Sequence, residues 1–127
     1  MSQPYLSVTS ADVTADITVL TVAGELDIRT EQRVRAEVSA LLNRGRTHLV
    51  FDLGAMTFCD STGIGMFIDV HRTVRAHNGR LRLASLKPFV LQCFRQLSLE
   101  QILDLYDTCD DAVTGHGPMD NLGTSPA

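Results

Sequence analysis

The sequence lacks any run of basic residues, and its 11 Lys and Arg are outnumbered by 15 Asp and Glu, leaving a formal charge of -4. Binding to a nucleic-acid backbone needs a basic stripe that displaces counterions, so no nucleic-acid partner is expected. Cysteine is scarce: Cys59, Cys93 and Cys109 are odd in number, with no CxxC pair and no Cys/His ligand spacing. That excludes a disulfide framework, and reduced thiols in a cytosolic protein are expected, with no metal and no cofactor. The amino-terminal stretch MSQPYLSVTSADV has neither the basic nor the apolar segment that directs secretion. No apolar run approaches the length of a bilayer span, so we expect a cytoplasmic protein without a membrane partner.

What is present suits one domain with a real core: 127 residues, 44% of them hydrophobic. Tyr5–Val8 and Ile17–Ala23 read as two strands of a hairpin around the polar bend Thr9–Asp16. GELDIRT (24–30) is a polar, flexible connection to a helix over Glu31–Arg44, with Thr30 as N-cap, Val34, Val38, Leu41 and Leu42 inward, and Gly45 as a left-handed stop. His48–Leu53 is a short buried strand. A second helix over Thr62–His77 turns Ile64, Phe67, Ile68, His71 and Val74 inward and ends at Asn78–Gly79. Arg80–Ser85 alternates as a strand. Pro88 opens a third helix with Val90, Cys93, Phe94 and Leu97 inward, and Ile102–Tyr106 is the last strand, with Asp107 or Thr108 capping a short final helix. Strands alternating with helices give an α/β fold: a mostly parallel mixed sheet of about five strands with an antiparallel amino-terminal edge, packed by helices. The domain is expected over 1–114, with a disordered tail over 115–127. In such sheets, loops at the carboxyl ends of the strands form the functional edge, which makes GELDIRT and FCDSTGIG spatial neighbours.

The stretch Phe58–Phe67, FCDSTGIGMF, holds more polar and flexible residues than a strand-to-helix turn requires. Asp60 or Ser61 can cap the helix, and one side chain is enough. Gly63 and Gly65 each cost about 1 kcal/mol relative to alanine in a helix, which suggests that another backbone comes close. Catalytic readings fail on the same letters. An aspartic protease needs two facing DTG/DSG turns in an all-β frame, and there is one, followed by a helix. A serine nucleophile wants a G-x-S-x-G elbow, and a phosphate loop wants GxxxxGK[ST]; neither occurs. No catalytic residue is assigned and no enzyme is expected. The remaining chemistry is that Ser61 accepts phosphate at the positive end of a helix. A partner carboxylate about 5 Å from the new charge would be repelled by roughly 3 kcal/mol at an effective dielectric of about 20, more than a hundredfold in affinity.

FCDSTGIGMF resembles the signature of the STAS domain in bacterial anti-sigma factor antagonists, where an apolar residue and an aspartate precede a serine, then Ser/Thr, Gly, an aliphatic residue and Gly. The resemblance spans roughly residues 5–113. GELDIRT is similar to the family's G-E-[LI]-D segment, LVFDLGAMTF to its central strand, NGRL (78–81) to the turn into its fourth strand, and PFVLQCFRQLSLEQIL to its third helix and beyond. The resemblance implies a single STAS-like domain that binds an anti-sigma factor serine kinase while unphosphorylated, thereby releasing a sigma factor. It implies phosphorylation at Ser61 as the off-switch and a serine phosphatase as the reset. Asp27, Asp60, Ser61, Thr62, Gly63 and Gly65 would form the partner-facing surface, although Asp27 can equally orient the turn and Asp60 cap the helix. Two positions depart from the pattern: Cys59, often Met or another apolar residue, and Ser98, where many members have glycine, so that the end of the third helix would be built differently. The alternative is a stand-alone STAS accessory module of a transport or stress-sensing complex.

Overall fold

The computed structural model describes residues 5–115. Aliphatic and β-branched residues alternate through β1 (Leu6–Asp12) and β2 (Ile17–Leu26), and both strands are longer than their sequence pattern suggests. Leu6, Leu20, Val22 and Leu26 point into the core, and only Val13–Asp16 is left for the turn. β2 also takes in the first three residues of GELDIRT. Gly24 makes this possible: its φ is +107°, and a Cβ there would sit 2.1 Å from the Tyr5 carbonyl oxygen. Register shifts on either side of it bend the strand toward α1 (Glu31–Asn43). Arg44, Gly45 and Arg46 close α1, with Gly45 left-handed (φ 78°) and Arg46 N–H donating back to the Leu41 carbonyl, as expected.

β3 (His48–Cys59) is twice the expected length because the chain stays extended through Gly54–Cys59 to pair with the bent end of β2. Then come α2 (Ser61–Ala76), β4 (Arg80–Ala84), α3 (Pro88–Gln96), a single 3-10 turn, β5 (Asp104–Tyr106) and α4 (Cys109–Thr114), the last capped by Thr108. The five strands lie in the order β1-β2-β3-β4-β5; β1 pairs antiparallel and the others parallel, as expected.

Two apolar clusters lie on the two faces of the sheet. The larger joins Val34, Val38 and Leu41 of α1, Met66, Phe67, Val70 and Val74 of α2, and Val90 and Phe94 of α3 to the strands. Phe67 meets Phe51 edge-on at 5.3 Å between centroids. The smaller seats Ala112 of α4 on Val50, Ala84 and Tyr106. With neighbours on both faces, Leu49–Phe51 of β3 is a consecutive buried apolar run, the mark of a central parallel strand. The inward face of α2 differs from the expected one by a small rotation: Met66 and Val70 are buried, while Ile64, Ile68 and His71 lie at the margin. Leu97, expected inward, is 59% exposed, since α3 ends one residue before it. Ser98 then adopts a left-handed conformation (φ 56°), so this departure from glycine keeps a glycine-like backbone. Of the expected tail, Gly115 closes α4 (φ 79°), and 116–127 lie outside the described residues. No helix among the described residues is long and apolar enough to cross a membrane.

Candidate functional site

β3 delivers the chain to Asp60, whose extended backbone turns it into α2. Asp60 is the cap: one carboxylate oxygen accepts from the N–H groups of Thr62 (3.0 Å) and Gly63 (3.1 Å). A single side chain therefore satisfies the orphan donors, and the two hydroxyls behind it are left over. Ser61 is the first residue of α2 and exposed; neither its hydroxyl nor that of Thr62 bonds to another described residue. Ser61 thus presents a free Oγ at the positive end of a 16-residue helix.

The end of β2 lies beside this turn. Glu25 is level with Phe58 and Leu26 with Cys59, and the Asp60 N–H donates to the Leu26 carbonyl at 3.3 Å. The two polar segments are therefore neighbours on the carboxyl edge of the sheet. Asp27 is only 8% exposed, and its carboxylate accepts from the Arg29 backbone N–H, Nε and Nη2. The hydrogen bond from Arg29 is the main reason that this carboxyl is held below the usual carboxylate range. Arg29 also reaches Glu25 and lies over the Tyr5 ring, 3.7 Å from its centroid. Thr30 occupies the N-cap position of α1 but does not cap with its side chain. Its buried hydroxyl accepts from the Asp27 N–H and donates to the Glu25 carbonyl, tying the loop to itself. The segment expected to be flexible is a braced turn.

Three apolar side chains at or after the carboxyl ends of β2, β3 and β4 are exposed. Ile28 is 75% exposed at the tip of the braced turn, Phe58 42% at the end of β3, and Phe89 70% in the first turn of α3.

Residues 9–112 match the family model described as STAS domain. The chain belongs to the STAS domain family. This STAS domain is 25% identical over 99 residues to the anti-sigma F factor antagonist of Paenibacillus polymyxa, a match covering 77% of this chain and 85% of that one. Among solved structures it is similar to an anti-sigma factor antagonist from Mycobacterium paratuberculosis (TM-score 0.79, 24% identity, 91% of this chain and 97% of that one). It is also similar to the Bacillus cell fate determinant SpoIIAA in its phosphorylated form (TM-score 0.67, 24% identity, 86% and 98%). At that identity the two structures establish the fold.

Within the STAS domain the two glycines of the turn have different reasons. Gly63 is buried, and a Cβ there would lie 2.8 Å from Cys59 Sγ and 2.9 Å from Leu26 Cγ; the room it leaves is filled from inside. Gly65 has nothing within 4 Å of where its Cβ would be, so its small size keeps the outer surface low. Cys59 is the small packed thiol expected, with burial chiefly pushing it up to about 12, so it is neutral at physiological pH. No group of three or more His, Cys, Asp or Glu suited to a metal occurs among the described residues. Sequence reasoning assigned no site role to Ile28, Phe58 or Phe89. The signal at Ile28 was legible, an isolated aliphatic in an otherwise polar turn; for Phe89 only the folded α3 distinguishes it from the inward Val90.

Proposed function

We propose that this STAS domain is an anti-sigma factor antagonist, switched by phosphorylation of Ser61. The observation that carries the reading is the division of labour at the start of α2: Asp60 caps, and the Ser61 hydroxyl remains unbonded and exposed. In the unmodified state the anti-sigma factor docks on the edge formed by Ile28, Phe58, Phe89 and the low surface at Gly65, and a sigma factor is released. The anti-sigma factor is itself the serine kinase. Ser61 Oγ attacks the γ-phosphorus of ATP, the bond to ADP breaks, and the hydroxyl proton leaves to a base of the kinase. The product carries about two negative charges on the docking edge. The helix end accommodates that charge within the domain, because the helix macrodipole favours an anion there. The docked partner is repelled, and a serine phosphatase restores the hydroxyl. The domain supplies a substrate side chain and a surface and needs no cofactor or catalytic group of its own. Its likeness to an anti-sigma F factor antagonist and, in fold, to phosphorylated SpoIIAA supports this reading.

The test is a titration of the cognate anti-sigma kinase with wild type, Ser61→Ala and Ser61→Glu. Ser61→Ala is expected to bind as wild type does and to take no phosphate from ATP, and Ser61→Glu to bind more weakly. A folded Ser61→Ala that fails to bind, or that is still phosphorylated at the same stoichiometry, would overturn the reading.

A further inference from the structure

At the opposite pole of the domain, the last turns of α2 and the first residues of β4 and β5 border a shallow, open depression of about 680 Å³ lined by His71, Arg72, Arg75, Arg80, Ile102 and Asp104. In a chain whose formal charge is -4, this depression gathers three guanidinium groups against one carboxylate. Asp104 pairs with Arg80 at 3.2 Å, and both side chains are partly exposed. Arg72 and Arg75, one helical turn apart and exposed, have no hydrogen-bond or ion-pair partner among the described residues. By contrast Arg29, Arg35, Arg44 and Arg46 are each held by a carboxylate. The convergence is registered by His71: after burial, Arg75, Arg72 and Arg80 all act to lower its proton affinity, against Asp104 alone. Arg75 offsets the negative end of α2. That explanation does not extend to Arg72, a turn earlier, or to Arg80, which arrives from the sheet.

We propose that this depression binds a small anion bearing adjacent phosphate groups, gripped by the guanidinium forks of Arg72 and Arg75, with Arg80 exchanging Asp104 for the ligand. Planar guanidinium groups match phosphate oxygens in pairs, and two unpartnered ones on one helical flank suit two linked phosphates better than a single compact anion. The half-exposed Ile102 offers an apolar wall for whatever the phosphates are attached to. Arg72 and Arg75 lie about 16–21 Å along α2 from Ser61 at 1.5 Å per residue, so occupancy leaves the carboxyl edge clear. The proposal does not depend on the phosphorylation of Ser61.

The probe is inorganic pyrophosphate, titrated at low salt into the full chain and followed by amide chemical shifts, with adenosine diphosphate as a second arm. Saturable shifts confined to His71–Ala76, Arg80 and Ile102–Asp104 are expected, with a dissociation constant below about 1 mM. Binding should weaken at least tenfold in Arg72→Gln/Arg75→Gln, and measurably in Arg72→Gln alone should the double variant misfold. Equal affinity for the two probes assigns the free anion; tighter binding of the diphosphate ester, with added shifts at Ile102, assigns a phosphorylated metabolite. Unsaturable shifts, shifts centred on Ser61, or undiminished binding by the arginine variants would overturn the proposal.

Discussion

Gly63 and Gly65 are two residues apart on α2, yet adding a methyl group to each should move stability in opposite directions. At Gly63 the new Cβ lands within 3.0 Å of Cys59 Sγ, Leu26 Cγ and Leu26 Cδ2. Neither side chain can swing clear, because they stand on paired strands, level with each other in the β2–β3 register, and Leu26 is packed in the core. Overpacking of this kind costs about 1–3 kcal/mol, partly offset by up to about 1 kcal/mol of helix propensity. The net expectation for Gly63→Ala is a loss of about 1 kcal/mol. At Gly65 the methyl meets nothing, so Gly65→Ala should gain about 0.5–1 kcal/mol from propensity alone. The two variants should therefore differ by about 2 kcal/mol, measured as urea midpoints at constant m-value by circular dichroism. Titration with the anti-sigma partner should reverse the order: Gly65→Ala, the more stable protein, is expected to bind at least fivefold more weakly because its methyl stands on the docking edge. A Gly63→Ala protein as stable as wild type would refute the packing argument. Unchanged binding by Gly65→Ala would refute the role given to the low surface.

Asp60→Ala removes the acceptor for two backbone N–H groups and should cost about 1 kcal/mol, while Asp60→Asn, still able to cap, should cost a few tenths; thermal melts separate them. Ser98→Gly relieves a left-handed residue outside any helix and should stabilise by about 0.5–1 kcal/mol, the strain relief exceeding the added chain entropy; a lower melting temperature would contradict it. The Asp27 carboxyl is held below its unfolded value of 3.8 by Arg29, so its contribution is complete above that pH and is lost as pH falls through the lower folded value. The stability advantage of wild type over Asp27→Asn should thus be largest above about pH 4 and shrink in more acid solution, read from urea midpoints across the acid range. Phe89→Ser, at an exposed position, should leave the melting temperature within about 2 °C of wild type and weaken the anti-sigma partner severalfold.

Much of this was legible because the local and long-range signals agree. Alternation in RLRLA, the apolar run LVFDL and the Asn-Gly stop after α2 each specify one structure, and the tertiary packing uses the same one. The strand ends were not legible. Gly24–Leu26 and Gly54–Cys59 carry glycine, threonine and charge, and they are extended only because each provides the other's hydrogen-bond partners. Thr30 shows a second limit: its position next to a helix is visible, but whether its hydroxyl turns forward to the helix or back to Asp27 and Glu25 depends on a loop that the sequence does not outline. At the site, the surplus of hydroxyls was readable, whereas the reason for Gly63 was not, because Leu26 lies 37 positions away. The three arginines of the distal depression escaped notice for the same reason, being spread over two elements and joined only by folding.

The order of the sheet is also the order of the chain. No strand has to be threaded between two that are already paired, and each finds its neighbour made just before it. As the polypeptide leaves the ribosome, β1, β2 and β3 can close on α1, and the turn bearing Ser61 follows at once. The last two strands and α3 then extend and cover what is already in place. The junction of β2, β3 and the Ser61 turn thus depends on no later strand, and β4 and β5 only extend an edge that is already formed.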